Sequence, residues 1–387
     1  MNLKLLQQDV RDYLMEHLHD HAASFILKKH PFTDITSKQL TQQLVGLQKA
    51  RAKFPHLFNN KKVIFPPKMN LEQTSSWSTA LYKAGLYDGE RMIDVTGGFG
   101  IDIAAFAKAY SKTTHVELNT SLQEIASQSF KAQELQTKSI AGDGIEFLTG
   151  SPHSYDLIYL DPSRKTAVNS KAILLEDYEP NVIHNLKLLL EKGKRVMIKT
   201  SPMLDLTAGF KQLKHVSAVH IVAVKNEVKE LLWIVEKEEC TPLIHCVNLE
   251  TEQPQLNFKW NTTVLPSLSE PLTYLYEPNA AVMKSQAFGS ICEQFELKKI
   301  DQDAHLFTSE KQINFPGRTF LIKAIKAYKP KEIKRSYGKS HRAVVTRNFR
   351  ESVHQLRQKF QLKEHDTDYL FFTSIHGNQV VIEAQKV

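Results

Sequence analysis

The stretch AVHIVAVKNEVKELLWIV, residues 218–235, decides the fold. It holds two apolar runs, AVHIVAV and ELLWIV, with only KNEVK between them. A parallel crossover needs about a dozen residues or more, so the two runs must form an antiparallel hairpin. Five further short apolar runs lie upstream: RMIDV at 91–95, THVEL at 114–118, KSIAG at 138–142, YDLIYL at 155–160 and RVMIKT at 195–200. Helix-length segments separate most of them. Alternation of this kind implies a parallel sheet with helices on both faces. The expectation is an α/β protein built on seven strands, largely parallel and closed by an antiparallel seventh strand.

Away from that sheet the pattern changes. Residues 1–70 read as helical. Thr36 and Gln39 have capping-box spacing, and Leu40, Leu44 and Leu47 then recur on one helix face. FPPK at 65–68 stops helices and reads as a connector. A helix follows, starting between Thr74 and Ser76 and ending near Gly85. Beyond residue 240 the alternation ceases. Residues 241–266 read as short irregular strands, and AAVMKSQAFGSICEQFEL at 280–297 as one helix. The tail reads as strand, helix (NFRESVHQLRQKFQL, 348–362), strand (TDYLFFTS, 367–374) and strand (QVVIEAQ, 379–385).

The 387 residues are 42% hydrophobic and 24% charged, which excludes a wholly disordered or collagen-like chain. Cys240, Cys246 and Cys292 are an odd number without CxxC spacing. They build neither a disulfide framework nor an all-cysteine zinc site, and a reducing cytoplasm is expected. No run of 18 apolar residues exists to span a membrane, and the first residues lack an apolar signal core. The net charge of +8 is uneven: residues 316–387 carry 15 Lys and Arg against 6 Asp and Glu. A localised basic surface fits a polyanion such as nucleic acid, or else a solvated face that binds nothing.

The chemistry gathers at the strand ends. DVTGGFGID, residues 94–102, joins the first strand to a helix, and Gly97, Gly98 and Gly100 let the backbone turn sharply beneath a ligand. Glu117 ends the second strand, 20 residues after Gly97, where a carboxylate can accept hydrogen bonds from ribose hydroxyls. NAD or S-adenosylmethionine satisfies this much. The glycine pattern is not GxGxxG, because Ile103 stands at its last position. Asp94 is placed for an amino-acid tail and a sulfonium. Asp143, in AGDGIEF after the third strand, is placed for an adenine amine. The fourth strand ends in LDPSRK, bringing Asp161 and Pro162 to the same sheet edge, where ligands of open α/β sheets bind. Four acids at four consecutive strand ends favour S-adenosylmethionine.

DVTGGFGID, HVELN, AGDGIEF and LDPSRK resemble the cofactor-binding and catalytic motifs of class I methyltransferases, whose sheet also ends in such a hairpin. With LEQTSSWSTA upstream, NEVKELLW in the hairpin and YEPNAAVMKSQAFG downstream, residues 70 to 387 resemble a more particular group. These are bacterial methyltransferases with a small ferredoxin-like segment and a C-terminal THUMP-like domain. After the helical region at 1–70, the resemblance implies a catalytic domain at 71–240 and connecting strands at 241–272. A ferredoxin-like segment at 273–315 and a basic THUMP-like domain at 316–387 complete it. It further implies that Asp94, Gly98 and Gly100 line the methionine end of the cofactor, with Thr96, Gly97 and Asp102 also among the cofactor-binding residues. Glu117 would hold the ribose and Asp143 the adenine, with Leu118 and Gly144 also among the cofactor-binding residues. Gln73, Thr74 and Ser75 would close the pocket. Asp161, Pro162, Ser163 and Arg164 would form the catalytic segment. By analogy with THUMP domains, the partner is tRNA or rRNA.

Base N-methyltransferases commonly carry DPPY or NPPY; here Ser163 and Arg164 replace the second proline and the aromatic ring. Tyr159 is expected to point elsewhere. Arg164 either holds a phosphate in a bidentate contact or pairs with a neighbouring acid. Lys199, Thr200, Ser201 and Pro202 end the fifth strand, as an acceptor wall or a plain turn. No cysteine lies at the sheet-edge loops, so covalent methylation of a pyrimidine carbon is not expected. No metal site is expected either; His17 and His21 share a helix face but lie far from the glycine turn in sequence. In the tail, Lys334, Arg335, Lys339, Arg342, Arg347 and Arg350 are the candidate RNA contacts. The function expected is methylation of an RNA base nitrogen. The alternatives are methylation of a protein or small molecule, and a non-catalytic RNA-binding protein.

Overall fold

The computed structural model describes residues 1–164, 174–261 and 264–387. The chain forms two units, Met1–Val219 with Glu230–Cys240, and His220–Lys229 with Thr241–Val387. The first contains strands β1 (Gly89–Asp94), β2 (Tyr110–Glu117), β3 (Thr137–Ala141), β4 (Tyr155–Leu160) and β5 (Gly193–Thr200). The hairpin strands β6 (Val216–Val224) and β7 (Glu227–Glu236) each run across the unit boundary. Strand order from the hairpin inward is β6-β7-β5-β4-β1-β2-β3. The pairs β1–β2, β1–β4, β2–β3 and β4–β5 are parallel, while β7 runs antiparallel to β5. This is the class I methyltransferase sheet that the 218–235 hairpin predicts. The hairpin turn is tighter than the spacing suggested. Only Lys225 and Asn226 form it, both with positive φ, as the right-handed strand twist requires of a two-residue turn.

One face of that sheet is covered by the N-terminal helices. Helix α1 is Gln8–Glu16 and α2 is Ser37–Lys53. Thr36 and Gln39 make the reciprocal capping box, and Leu40, Leu44 and Leu47 are buried. They join Met92, Leu157, Tyr159 and Met197 of the sheet in one apolar cluster. The connector at 65–68 is followed at once by a helix the sequence reading missed, α3 (Lys68–Gln73), with Pro67 as its N-cap. A proline that stops one helix is also tolerated where the next begins, because the missing N–H has no partner there. Helix α4 (Trp77–Ala84) starts at the Ser76 cap and ends at Gly85 as expected. Among the described residues, five further helices connect the strands: α5 (Ile101–Phe106), α6 (Thr120–Ala132), α7 (Gly144–Gly150), α8 (Val182–Lys192) and α9 (Leu206–Gln212).

The antiparallel pair β8 (Leu243–Leu249) and β9 (Leu256–Lys259) continues the first sheet beyond β6 to nine strands where seven were expected, and the second unit also has a separate seven-stranded sheet. That sheet contains β10 (Tyr274–Pro278), β11 (Lys298–Lys299), β12 (Phe307–Ser309), β13 (Gly317–Ala327), β14 (Ala343–Thr346), β15 (Asp368–Ile375) and β16 (Asn378–Lys386). Their order is β11-β12-β10-β13-β16-β15-β14. Alternate residues of β15 serve two cores: Tyr369 and Phe371 enter one, Leu370 and Phe372 the other. The helix expected over 280–297 is two helices instead, at Ala280–Ser285 and Phe288–Phe295, broken where Gln286 takes a left-handed φ of 56°. In the tail, a helix at Pro330–Tyr337 and the strand β14 were not anticipated, and the helix expected from residue 348 spans Val353–Phe360. Among the described residues, no helix is long and apolar enough to cross a membrane.

Candidate active site

Strands β4, β1, β2 and β3 are neighbours in that order, all parallel, so their carboxyl ends lie side by side. Asp94 is the last residue of β1 and Glu117 the last of β2. Asp161 follows β4 directly, and Asp143 stands two residues beyond β3. Four acid-bearing strand tips therefore adjoin at one sheet edge.

The glycine turn is held from both sides. Gly98 and Gly100 have φ of 56° and 83°, which side-chain-bearing residues rarely adopt. The Gly98 N–H donates to Glu117 Oε2 at 2.8 Å, and the Asn119 N–H donates to Oε1 at 2.7 Å. A Cβ on Gly97 would come 2.3 Å from the ring of His115, and one on Gly100 would come 2.3 Å from Phe130. At Gly98 the nearest atom would be 3.9 Å away, so that face of the turn is open. His115 was missed by the sequence reading. Its Nε2 lies 3.2 Å from the Gly98 carbonyl and its Nδ1 3.1 Å from Ser139 Oγ. A carbonyl can only accept, so the ring proton sits on Nε2. Burial pushes its pKa down to about 4, so the ring is neutral.

A second layer binds the strand tips together. The Thr96 N–H and hydroxyl both donate to Asp94 Oδ1, at 2.9 and 3.2 Å, and the Asp161 N–H donates to Thr96 Oγ1 at 2.7 Å. Burial pushes the Asp94 carboxyl well above the usual range, and Asp102 and Asp161 act in the same direction. The ammonium of Lys199, on β5, contacts Asp161 Oδ2. Beneath lies a buried cluster. Ser75 and Tyr159 donate to Asp102 Oδ2 at 2.8 and 3.0 Å. Lys83 Nζ lies 3.2 Å from Asp102 Oδ1 and 2.7 Å from Glu230 Oε1. Burial alone would raise the Asp102 pKa, but the Lys83 and Lys199 cations and the Ser75 hydroxyl outweigh it and hold it below the ordinary value. Tyr159 thus points into the core, away from the pocket edge.

The other expected residues take varied places. Leu118 is 74% exposed beside Glu117. Asp143 caps α7, its Oδ1 accepting from Ile145 and Glu146 N–H at 2.7 and 3.0 Å. Gly144 packs so closely that a Cβ would stand 2.0 Å from the Val95 carbonyl. Gln73 is exposed, and Thr74 closes α3 through its hydroxyl to the Asn70 carbonyl at 2.6 Å. Pro162 is buried, and the exposed Ser163 and Arg164 pair with Glu179 and Tyr178 in a two-residue ladder. Lys53, from α2, donates to the Leu71 carbonyl at 2.8 Å; burial first, then the nearby Lys199, lower its pKa to about 8. Lys83, Glu230 and Lys199 carried one signal in the sequence: each charge directly adjoins a mostly apolar stretch, WSTALY, LLWIV or VMI.

In the second unit, Lys334, Arg335, Lys339 and Arg350 are exposed. Arg342 instead pairs with Glu383 at 3.2 Å and Asp368 at 3.6 Å, and Arg347 pairs with the buried Glu277. Among the described residues, no group of three or more His, Cys, Asp or Glu could hold a metal ion.

Residues 274–316 match a family model described as a ferredoxin-like domain, and residues 317–386 one described as THUMP domain-like. No curated protein matches the chain by sequence. The whole chain superposes on a crystal structure from Porphyromonas gingivalis W83, described as a "putative methyltransferase", with 26% identity and a TM-score of 0.88. The match covers 100% of this chain and 99% of that one. Looser matches include the T. thermophilus 16S rRNA N2 G1207 methyltransferase in complex with AdoMet and guanosine (15% identity, TM-score 0.33, 43% of this chain and 44% of that one). Another is SMU.1697c of Streptococcus mutans, described as a "putative methyltransferase", in complex with SAH (14%, 0.31, 41% and 96%).

Proposed function

We propose that the chain is an S-adenosylmethionine-dependent methyltransferase acting on a base nitrogen of tRNA or rRNA. The observation that carries the reading is the row of strand tips bearing Asp161, Asp94, Glu117 and Asp143 around an open glycine turn. The residues fit the cofactor. A Cβ at Gly98 would occupy the open face of the turn, Glu117 presents a carboxylate beside it, and exposed Leu118 offers an apolar surface for an adenine. Asp94, Thr96 and Gly98 would hold the methionine end, Glu117 the ribose hydroxyls and Asp143 the adenine amine. When bound, the cofactor supplies a methyl group on a positively charged sulfur.

Asp161 then has one task. It would accept a hydrogen bond from the nitrogen to be methylated and so orient its lone pair for in-line attack. With the cofactor bound, the nitrogen would take the methyl group while the C–S bonding pair stayed with the sulfur. The nitrogen's proton passes to Asp161 and on to water. Pro162 and the Thr96 hydroxyl fix the direction of Asp161. The exposed cations Lys334, Arg335, Lys339 and Arg350 of the THUMP-like domain supply phosphate contacts. The full-length likeness to the P. gingivalis protein supports the same reading.

The test is mass spectrometry of nucleosides from total tRNA and rRNA, with and without the gene. One methylated nucleoside should disappear. An unchanged profile, together with RNA binding that does not weaken with salt, would favour a protein or small-molecule acceptor.

A further inference from the structure

Lys199 has no part in the chemistry above, yet it touches Asp161. The β4–β5 register pairs Leu160 with Ile198, so Asp161 and Lys199 are the next residues along the two strands. The Lys199 side chain is 12% exposed and that of Asp161 34%. The cation thus stands behind the carboxylate, away from solvent. Burial by itself would strip the charge from such a lysine. Here Asp161, Glu230 and Asp102 outweigh burial and hold its pKa above the ordinary value. Asp94, Tyr159 and Tyr178 also lie within electrostatic reach of Asp161.

A bare carboxylate at this point would be a liability. The sulfonium loses its positive charge as the methyl group leaves, so an unpaired anion beside it stabilises the reactant more than the transition state. We propose that Lys199 is a positioning residue of the transfer centre, neutralising Asp161 and fixing its direction so that it meets the acceptor as a fixed hydrogen-bond acceptor at a point of near-zero net charge. The proposal rests on the assignment of Asp161 given above.

The experiment is calorimetric titration of the full chain with S-adenosylhomocysteine and with sinefungin, an analogue bearing a protonated amine where the methyl group stands. The ratio of the two affinities reads the charge at the transfer point and needs no RNA. Lys199→Met should leave S-adenosylhomocysteine affinity within about twofold and raise the preference for sinefungin at least ~10-fold, since an unpaired charge at contact distance is worth that much or more. Asp161→Asn should lower the preference, because Lys199 then faces the amine alone. Lys199→Arg should restore the wild-type ratio. An unchanged ratio in both Lys199→Met and Asp161→Asn overturns the proposal while the cofactor reading stands. Loss of both ligands in Lys199→Met and Lys199→Arg alike also overturns it, because the lysine would then serve the fold. Failure of the wild-type chain to bind either ligand removes the cofactor reading and this proposal with it.

Discussion

The two units use charge in opposite ways. In the first, Lys83, Asp102, Glu230, Lys199 and Asp161 turn inward, and Lys83 and Glu230 are almost wholly buried. In the second, buried Glu277 draws in Arg318 and Arg347, while Lys334, Arg335, Lys339 and Arg350 face solvent. Buried pairs gain little net stability but punish the loss of one partner severely. Exposed cations hardly affect stability and remain available to a polyanion. On the proposed function, the first arrangement would set the geometry of a reaction centre and the second would supply contacts to RNA. Substitutions should therefore divide by burial: inward-paired charges should affect chemistry and fold, and the exposed cations of the second unit should affect affinity.

The largest effect should come from Asp161→Ala. Transfer of tritiated methyl groups to bulk tRNA and rRNA should fall about 1000-fold, while S-adenosylhomocysteine affinity stays within about threefold. Retained turnover would remove Asp161 from the centre. Next is Lys83→Met, which leaves Glu230 and Asp102 buried without their cation. Stability of the first unit should drop by about 3–5 kcal/mol, read from the urea midpoint of its unfolding. A drop under 1 kcal/mol would show that the cluster is not a structural necessity.

Joint replacement of Lys334, Arg335, Lys339 and Arg350 by Gln should weaken RNA binding about 10- to 100-fold. It should also flatten the dependence of log K on log salt by about 0.7–0.9 for each phosphate that is no longer neutralised. Arg342→Gln should cost stability without changing that slope, because Arg342 is spent on Glu383 and Asp368. Equal slopes for the two variants would erase the distinction between inward and outward arginines.

The smallest effect is one of pH. The folded His115 titrates at about 4, below its ordinary 6.5. As pH falls, the unfolded chain takes up the proton first. The stability it contributes is whole above pH 6.5 and is lost between there and about pH 4. His56, lowered by burial to about 4, acts with the same sign in this unit. His115→Gln should reduce the slope of stability against pH in that window, by up to about 1.4 kcal/mol per pH unit. An identical slope in the variant would show that His115 does not hold the turn in its neutral form.

Legibility in the sequence followed the range of the interactions. The sheet and its closing hairpin were readable because strand periodicity and loop length are local. The Thr36–Gln39 capping box was readable for the same reason. The acids at the strand tips stood out because each follows its own apolar run. The Lys83–Glu230 pair spans 147 positions, and neither residue names the other. Asp143 shows a different limit, since one side chain caps a helix and also faces the sheet edge. The helix at Pro330–Tyr337 was hidden by its polarity; only Ile333 and Tyr337, one turn apart, mark its buried face.

On the proposed function, the acid-bearing strand tips surround one bound methyl donor. Titration of the full-length protein with S-adenosylhomocysteine tests it most directly. Binding in the micromolar range, about −8 kcal/mol, is expected, with a loss of at least ~10-fold in Glu117→Ala as the ribose hydrogen bonds go. Absence of binding, or saturable binding of NADH in its place, would contradict the claim.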